Sequence, residues 1–309
     1  MIDPLAEVVS LLRPSARYSK LVSGAGQWRI KRSDGGRPFY CIVLDGGAHF
    51  SVNGYEPIEL QPGDFVLVPA ADRIDMSSLE PLHQNFEMQP VAVGGGEFRV
   101  GLQDAPPDLR MVVGHCDFES PDVALLVSLL PRFIHIRGEH RLGMLVKLVG
   151  DESRAQRPAR EEVLSRLLEV LLIEALRCTT GTSASPGLVL GLADIRIANA
   201  IRAIHERPAH AWTVAELSQE AALSRSAFFE RFNRTVGLPP MAYLLAWRMA
   251  LAKQLLKQSQ VRIADVAEHV GYNSASTFSV AFSRHVGTPP SEYASSQRGE
   301  HAAVTEPVG

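Results

Sequence analysis

Long hydrophobic runs are missing from this chain. No stretch approaches the roughly eighteen uncharged apolar residues that a transmembrane helix needs, so none is expected. Basic residues are missing from the opening MIDPLAEVVS, which carries acids instead and argues against a secretory signal. Cysteine is scarce: Cys41, Cys116 and Cys178 are odd in number and far apart. That excludes a disulfide framework and points to reduced thiols in a cytoplasmic protein. A free cysteine is usually a small buried hydrophobe, and a redox-sensing role for one of the three stays open. Charge of one sign is lacking too, the net being −3 over 309 residues. The 46% of apolar and 21% of charged residues are ordinary for globular domains, and the length suits two of them.

What is present is a repetition. TVAELSQEAALSRSAFFERFNRTVGLPPMAY, from Thr213 to Tyr243, returns as RIADVAEHVGYNSASTFSVAFSRHVGTPPSEY, from Arg262 to Tyr293. At an offset of fifty, Phe228 falls on Phe278, Phe232 on Phe282, Arg234 on Arg284, Gly237 on Gly287 and Tyr243 on Tyr293. The first halves match at forty-nine, so the second copy holds one extra residue near Gly271-Tyr272-Asn273. Two copies are too few for a solenoid, which leaves a duplicated compact unit. Each copy reads as helix, tight turn, helix. Thr213 can cap a first helix with Val214, Leu217 and Ala221 inward. Ser224 can cap a second over 225–236, which Gly237 and Pro239-Pro240 stop. Phe228, Phe232 and Val236 form its buried stripe. Ser226, Phe229, Glu230 and Asn233 form the outward one, which suits a helix presented to a major groove.

The duplicated ending G-x-P-P-x-x-Y, with LLAWRMALAKQLLKQSQ between the copies, resembles the DNA-binding domain of the AraC/XylS transcription regulators. The resemblance implies two helix-turn-helix units joined by a long helix. Charge agrees: residues 192–298 carry +4 and residues 1–191 carry −5. The DNA-binding set expected is Arg225, Ser226, Phe229, Glu230, Asn233 and Arg234 from the first unit, with Ser274, Ser276, Thr277, Val280 and Arg284 from the second. Glu230 can accept from a cytosine amino group and Phe229 can meet a thymine methyl, while an i,i+4 pair with Arg234 is the plainer reading of Glu230. Phosphate contacts are expected among Arg225, Arg231, Arg234, Arg248, Lys253, Lys257, Arg262 and Arg284.

The front half reads as a helix over 5–13 followed by short strands near 28–30, 39–44, 49–52, 57–60, 65–68, 97–102 and 110–113. Asn53-Gly54 signals a hairpin. Many short strands without long helices between them predict a small antiparallel barrel. DPLAEVVSLLRP, GGRPFYCIVLDGGAHFSVNGYEPIELQPGDFVLVP and VGGGEFRV resemble the cupin-type sensing domain of AraC-type regulators. Metal-binding cupins carry an H-x-H pair and a further histidine; here the positions read Phe39-Tyr40-Cys41 and AADRID. No metal, cofactor or catalytic residue is therefore expected. His135, Arg137 and Glu139 would share one face of a strand, but an arginine between would-be ligands repels a cation, so they read as surface residues. EEVLSRLLEVLLIEALRC, 161–178, is an amphipathic helix with a second apolar face suited to a twofold mate. TTGTSASPG reads as a linker.

The fold class expected is α+β: an N-terminal cupin-like β-barrel followed by an all-α domain of two helix-turn-helix units. The expected division is 1–150 for sensing, 151–191 for a dimerisation helix and linker, 192–298 for DNA binding, and 299–309 as a disordered tail. Trp28, Phe39, Cys41 and Phe65 are candidates to line an effector site, the alternative being that all four are core. The function expected is that of a regulator of transcription, not an enzyme. Its partners are double-stranded DNA, a small-molecule effector, a second copy in a homodimer and RNA polymerase, with no membrane. Three other readings stay in view. They are a barrel that only dimerises, a cupin enzyme with an appended DNA-binding module, and a repair methyltransferase, which would need a cysteine cluster.

Overall fold

The computed structural model describes residues 3–52, 55–80, 87–120, 123–155, 157–179, 186–257 and 261–303. The chain forms two compact units, residues 8–185 and residues 186–309, with residues 1–7 belonging to the second. Asn53-Gly54 and most of the expected linker, 180–185, lie outside the described residues.

The chain opens with α1 (Pro4–Leu12), whose first N–H groups find the Asp3 carboxylate. Eight strands follow: β1 (Pro14–Ala25), β2 (Arg29–Asp45), β3 (Ala48–Val52), β4 (Ile58–Leu60), β5 (Phe65–Ser77), β6 (Val91–Gly94), β7 (Glu97–Gly101) and β8 (Leu109–Phe118). After them come α2 (Val123–Ser128), β9 (Ile134–Ile136), α3 (His140–Arg154) and α4 (Arg160–Arg177). The sheet order is β4-β3-β5-β2-β8-β1-β7-β6, with β9 on β5. Among the described residues every pairing is antiparallel except β1 with β7.

Period-two alternation fills the interior. Phe39, Cys41 and Val43 of β2, Val66 and Val68 of β5, and Leu109, Met111 and Val113 of β8 belong to one buried cluster. The expected strands near 28–30 and 39–44 are one long strand, β2. Its ladder with β5 slips twice between Ser33 and Phe39, where Gly35 and Gly36 take positive φ and let the strand turn. Across the ladder, Tyr40 lies on Gly114, where an added Cβ would stand 1.9 Å from the ring.

Helix α4 packs on α3 and β1 and belongs to the barrel unit rather than to a separate segment. Leu164, Leu168, Leu171, Leu172 and Leu176 are buried; Val163 and Val170, seven apart, are exposed. Residues 151–154, assigned with the dimerisation helix in the expected division, are the end of α3.

The second unit is helical: α5 (Leu188–Ala193), α6 (Ile195–Glu206), α7 (Val214–Glu220), α8 (Arg225–Val236), α9 (Pro240–Leu256), α10 (Ile263–His269), α11 (Ala275–Val286) and α12 (Pro290–Ala303). Helix α9 serves two cores. Its Tyr243 meets Phe232 and its Trp247 stacks on His205, whereas Met249, Ala252 and Leu256 join Phe278 and Phe282. The expected disordered tail begins inside α12, which runs to Ala303.

Candidate functional site

Both helix-turn-helix units are built by local chemistry. Thr213 and Glu216 form a reciprocal capping box: the Glu216 N–H donates to Thr213 Oγ1 (3.2 Å) and the Thr213 N–H to Glu216 Oε2 (2.8 Å). These bonds hold the Glu216 carboxyl below its ordinary range, first through the Thr213 side chain. Ser224 caps α8 through the Ala227 N–H (3.4 Å), and Ser274 caps α11 through the Thr277 N–H (3.2 Å). Each helix ends on a left-handed glycine, Gly237 at φ 82° and Gly287 at φ 90°. Phe228 and Phe232 lie 5.5 Å apart with no exposure; Phe278 and Phe282 repeat this at 5.4 Å. Tyr243 and Tyr293 close the two clusters at 5.8 and 5.6 Å.

With the phenylalanines inward, the opposite faces are left to solvent. Arg225, Ser226, Phe229, Glu230, Asn233 and Arg234 are all exposed on α8, Phe229 at 43%. Ser276, Thr277, Val280 and Arg284 are exposed on α11, Val280 at 70%. Ser274 is exposed as well, but its hydroxyl is occupied by the cap and by the hydroxyls of Ser276 and Thr277. Glu230 and Arg234 form no ion pair among the described residues, which removes the plainer reading of Glu230.

The expected phosphate contacts divide. Arg231 pairs with Asp194 at the start of α6. Burial pushes the Asp194 carboxyl up, but the Arg231 guanidinium outweighs it and holds the group low. Arg248 donates to the carbonyls of Pro208 and His210, each at 2.8 Å, and clamps the loop before α7. Lys253 is buried, and Arg262 pairs with Asp265 at 2.7 Å. Arg231, Arg248 and Lys253 are thus engaged with the fold, whereas the Arg262 side chain stays 80% exposed. Arg225, Arg234 and Arg284 are exposed with no ion pair among the described residues.

One cluster went unforeseen. His205 of α6 has no exposed side-chain surface; its Nδ1 lies 2.5 Å from Glu7 Oε2 and its Nε2 2.7 Å from the Tyr243 hydroxyl. Trp247 stacks on its ring at 3.9 Å. Burial lowers its proton affinity, against the pull of Glu7. Nothing local marks this residue, because Glu7 lies 198 positions away.

In the barrel unit a cavity of about 280 Å³ opens beside the core. Trp28 and Phe39 line it; Cys41 and Phe65 do not. Cys41 lies in the packed cluster, its thiol pushed up to about 12 by burial. Phe65 alternates with Val66 and Val68 of that cluster and so faces the other side of β5. Burial likewise pushes the Cys116 thiol up to about 12, while Cys178 is exposed. His135 is not a plain surface residue: its Nε2 lies 3.0 Å from the buried Asp64 carboxylate, which Arg137 also approaches. Among the described residues no group of three or more His, Cys, Asp or Glu is placed to hold a metal.

A cupin-like barrel with a cavity, joined to paired helix-turn-helix units with open recognition faces, defines a class: DNA-binding regulators of transcription. The Cupin family matches residues 3–180, and a Helix-turn-helix domain family matches residues 217–296. An AraC-like transcription regulator of Streptomyces lividans is 33% identical over 94% of this chain and 98% of its own. The regulator RclR of Escherichia coli is 30% identical over 94% of this chain and 97% of its own. Among solved structures, the DNA-binding domain of AdpA in complex with a target DNA is 27% identical, covering 33% of this chain and 93% of that one at a TM-score of 0.32. The chain belongs to the AraC-like transcription regulators.

Proposed function

We propose that this regulator is controlled by a small organic effector held in the barrel cavity. It would read DNA with the outward faces of α8 and α11. The observation that carries this reading is the pairing of a partly open, largely apolar cavity in one unit with two open recognition faces in the other. Arg225, Arg234 and Arg284 grip phosphates, and Glu230, Asn233 and Phe229 supply most of the base discrimination. The protein works as a homodimer in the cytoplasm, with RNA polymerase as its downstream partner. Exposed Val163 and Val170 on α4, with Met144 and Leu148 on α3, support the dimer. It carries no enzymatic activity of its own.

The test is genomic mapping of binding sites with and without candidate ligands. A ligand that displaces the protein from its sites, or recruits it, supports effector control. Unchanged occupancy across all ligands favours a barrel that only dimerises. Sedimentation of the full chain reads the dimer, and Val163→Glu with Val170→Glu should shift it to monomer. Elemental analysis finding about one transition metal per chain, removable together with an activity, would favour the enzyme reading.

A further inference from the structure

Helices α8 and α11 present different chemistry at the same place. At the offset of fifty residues, Val280 stands where Glu230 stands in the first unit. Val280 is 70% exposed, so it adds little to the core, and its branched Cβ is not favoured in an exposed helix on propensity alone. It lies in the middle of the outward stripe, one turn after Ser276 and Thr277 and one turn before Arg284. The hydroxyls around it are held within the helix. Those of Ser276 and Thr277 lie 3.0 and 2.9 Å from the Ser274 hydroxyl, and the Ser279 hydroxyl donates to the Ala275 carbonyl at 2.7 Å. Ala281 and Leu245 of α9 continue the apolar surface into a trough alongside α11. What the middle of α11 offers a partner is hydrocarbon.

Among the base edges of the major groove, the 5-methyl of thymine is the apolar group. The edges of adenine, guanine and cytosine present donors and acceptors, which a valine would strip of water without replacing the lost bond. We infer that Val280 reads the 5-methyl group of a pyrimidine, thymine in ordinary DNA, at one position under α11. This rests on the reading of α11 as a recognition helix and names the base group it takes. Equivalent residues of two helices seated in successive major grooves lie one DNA turn apart. The methyl-reading position should therefore fall about ten base pairs from the position read by Glu230. The two units then divide the reading chemically, a carboxylate facing an amino group in one groove and a branched side chain facing a methyl in the next.

The probe is a duplex selected by the full chain from random sequence, with each thymine replaced singly by deoxyuridine, which keeps the pairing edge and removes the methyl. Glu230→Ala marks the α8 half by relaxing preference there. In the other half, one uracil should weaken binding about fourfold, the scale of one buried methyl group. Val280→Ala should bind the thymine and uracil duplexes equally. At that same position 5-methylcytosine should bind more tightly than cytosine in the natural chain, and no more tightly in Val280→Ala. The variant should melt no lower than the natural chain, because alanine is the better helix former, so lost affinity is not lost fold. The inference is overturned if no uracil in that half weakens binding, or if the uracil penalty survives Val280→Ala. If Val280→Ala weakens thymine and uracil duplexes alike while Arg284→Ala lowers the salt slope, α11 meets DNA and the methyl contact alone falls. If neither variant changes DNA binding, the reading of α11 as a recognition helix falls with it. A drop in reporter transcription with DNA binding unchanged in Val280→Ala would assign the trough to a protein and overturn the inference.

Discussion

Removing the Glu230 carboxylate separates reading from gripping. Glu230 is exposed on α8 and makes no ion pair among the described residues, so Glu230→Ala should leave stability within about 0.5 kcal/mol. If the carboxylate accepts from a cytosine amino group, its loss costs about 1–3 kcal/mol of discrimination at that base pair, roughly fivefold to 150-fold. A second effect has the opposite sign. An anion about 8 Å from a phosphate in water is repelled by about 0.5 kcal/mol before screening, so non-specific affinity should rise about twofold. The specific-to-non-specific ratio therefore falls from both ends. Fluorescence anisotropy on the selected site, its single-base variants and an unrelated duplex, all at one salt concentration, reads both constants. Glu230→Gln keeps an acceptor and drops the charge. It should raise non-specific affinity as alanine does while retaining part of the preference. A ratio unchanged within twofold for the alanine variant, alongside altered preference for Ser276→Ala or Thr277→Ala, would refute the assignment of base reading to α8.

Arg284→Ala should weaken all duplexes alike and reduce the salt slope by about 0.9, read from affinity at several salt concentrations. Arg248→Met should leave that slope alone and lower the melting temperature instead, because it strands the Pro208 and His210 carbonyls at about 1–3 kcal/mol. Phe278→Ala should cost about 3–5 kcal/mol in denaturant unfolding, since its ring is fully buried among Phe282, Tyr272 and Met249. His205 has its proton affinity lowered by burial, so the unfolded chain takes up protons first as pH falls. Stability is full above about pH 6.5 and declines below it, and His205→Gln should flatten unfolding measured between pH 7.5 and 5.5. Glu7, Asp3 and Tyr243 are the titratable groups facing the ring.

The helix-turn-helix units could be read from the chain because their signals are local. A threonine with a glutamate three residues on, a serine before an aromatic stripe, and a glycine with two prolines after it each act within one turn. The recurrence of the last two, fifty residues on at Ser274, Gly287 and Pro289-Pro290, settled the frame. The barrel was readable only in outline. β1 escaped notice because PSARYSKLVSGA places a lysine where alternation expects an apolar residue. α3 escaped because the residues before it, His135 to Glu139, read as a strand and the polar 151–154 at its end hides its periodicity. Which face of β5 carries Phe65 depends on register with β2, a property no stretch of one strand contains. Arg231 and Arg248 looked like phosphate contacts because Asp194 and Pro208 are distant in sequence, though not in the fold.

Helix α9 is built into both cores and is continuous over 17 residues. It therefore fixes a phase as well as a distance. One residue added or removed within it would turn the second helix-turn-helix by about 100° and slide it about 1.5 Å relative to the first. With α8 seated in one groove, α11 would then face away from the next. Seven added residues restore the angle to within about 20° but lengthen the rod by about 10 Å. The residue count of α9 is therefore fixed, and insertions in this half of the chain belong in the turns and not in the rod.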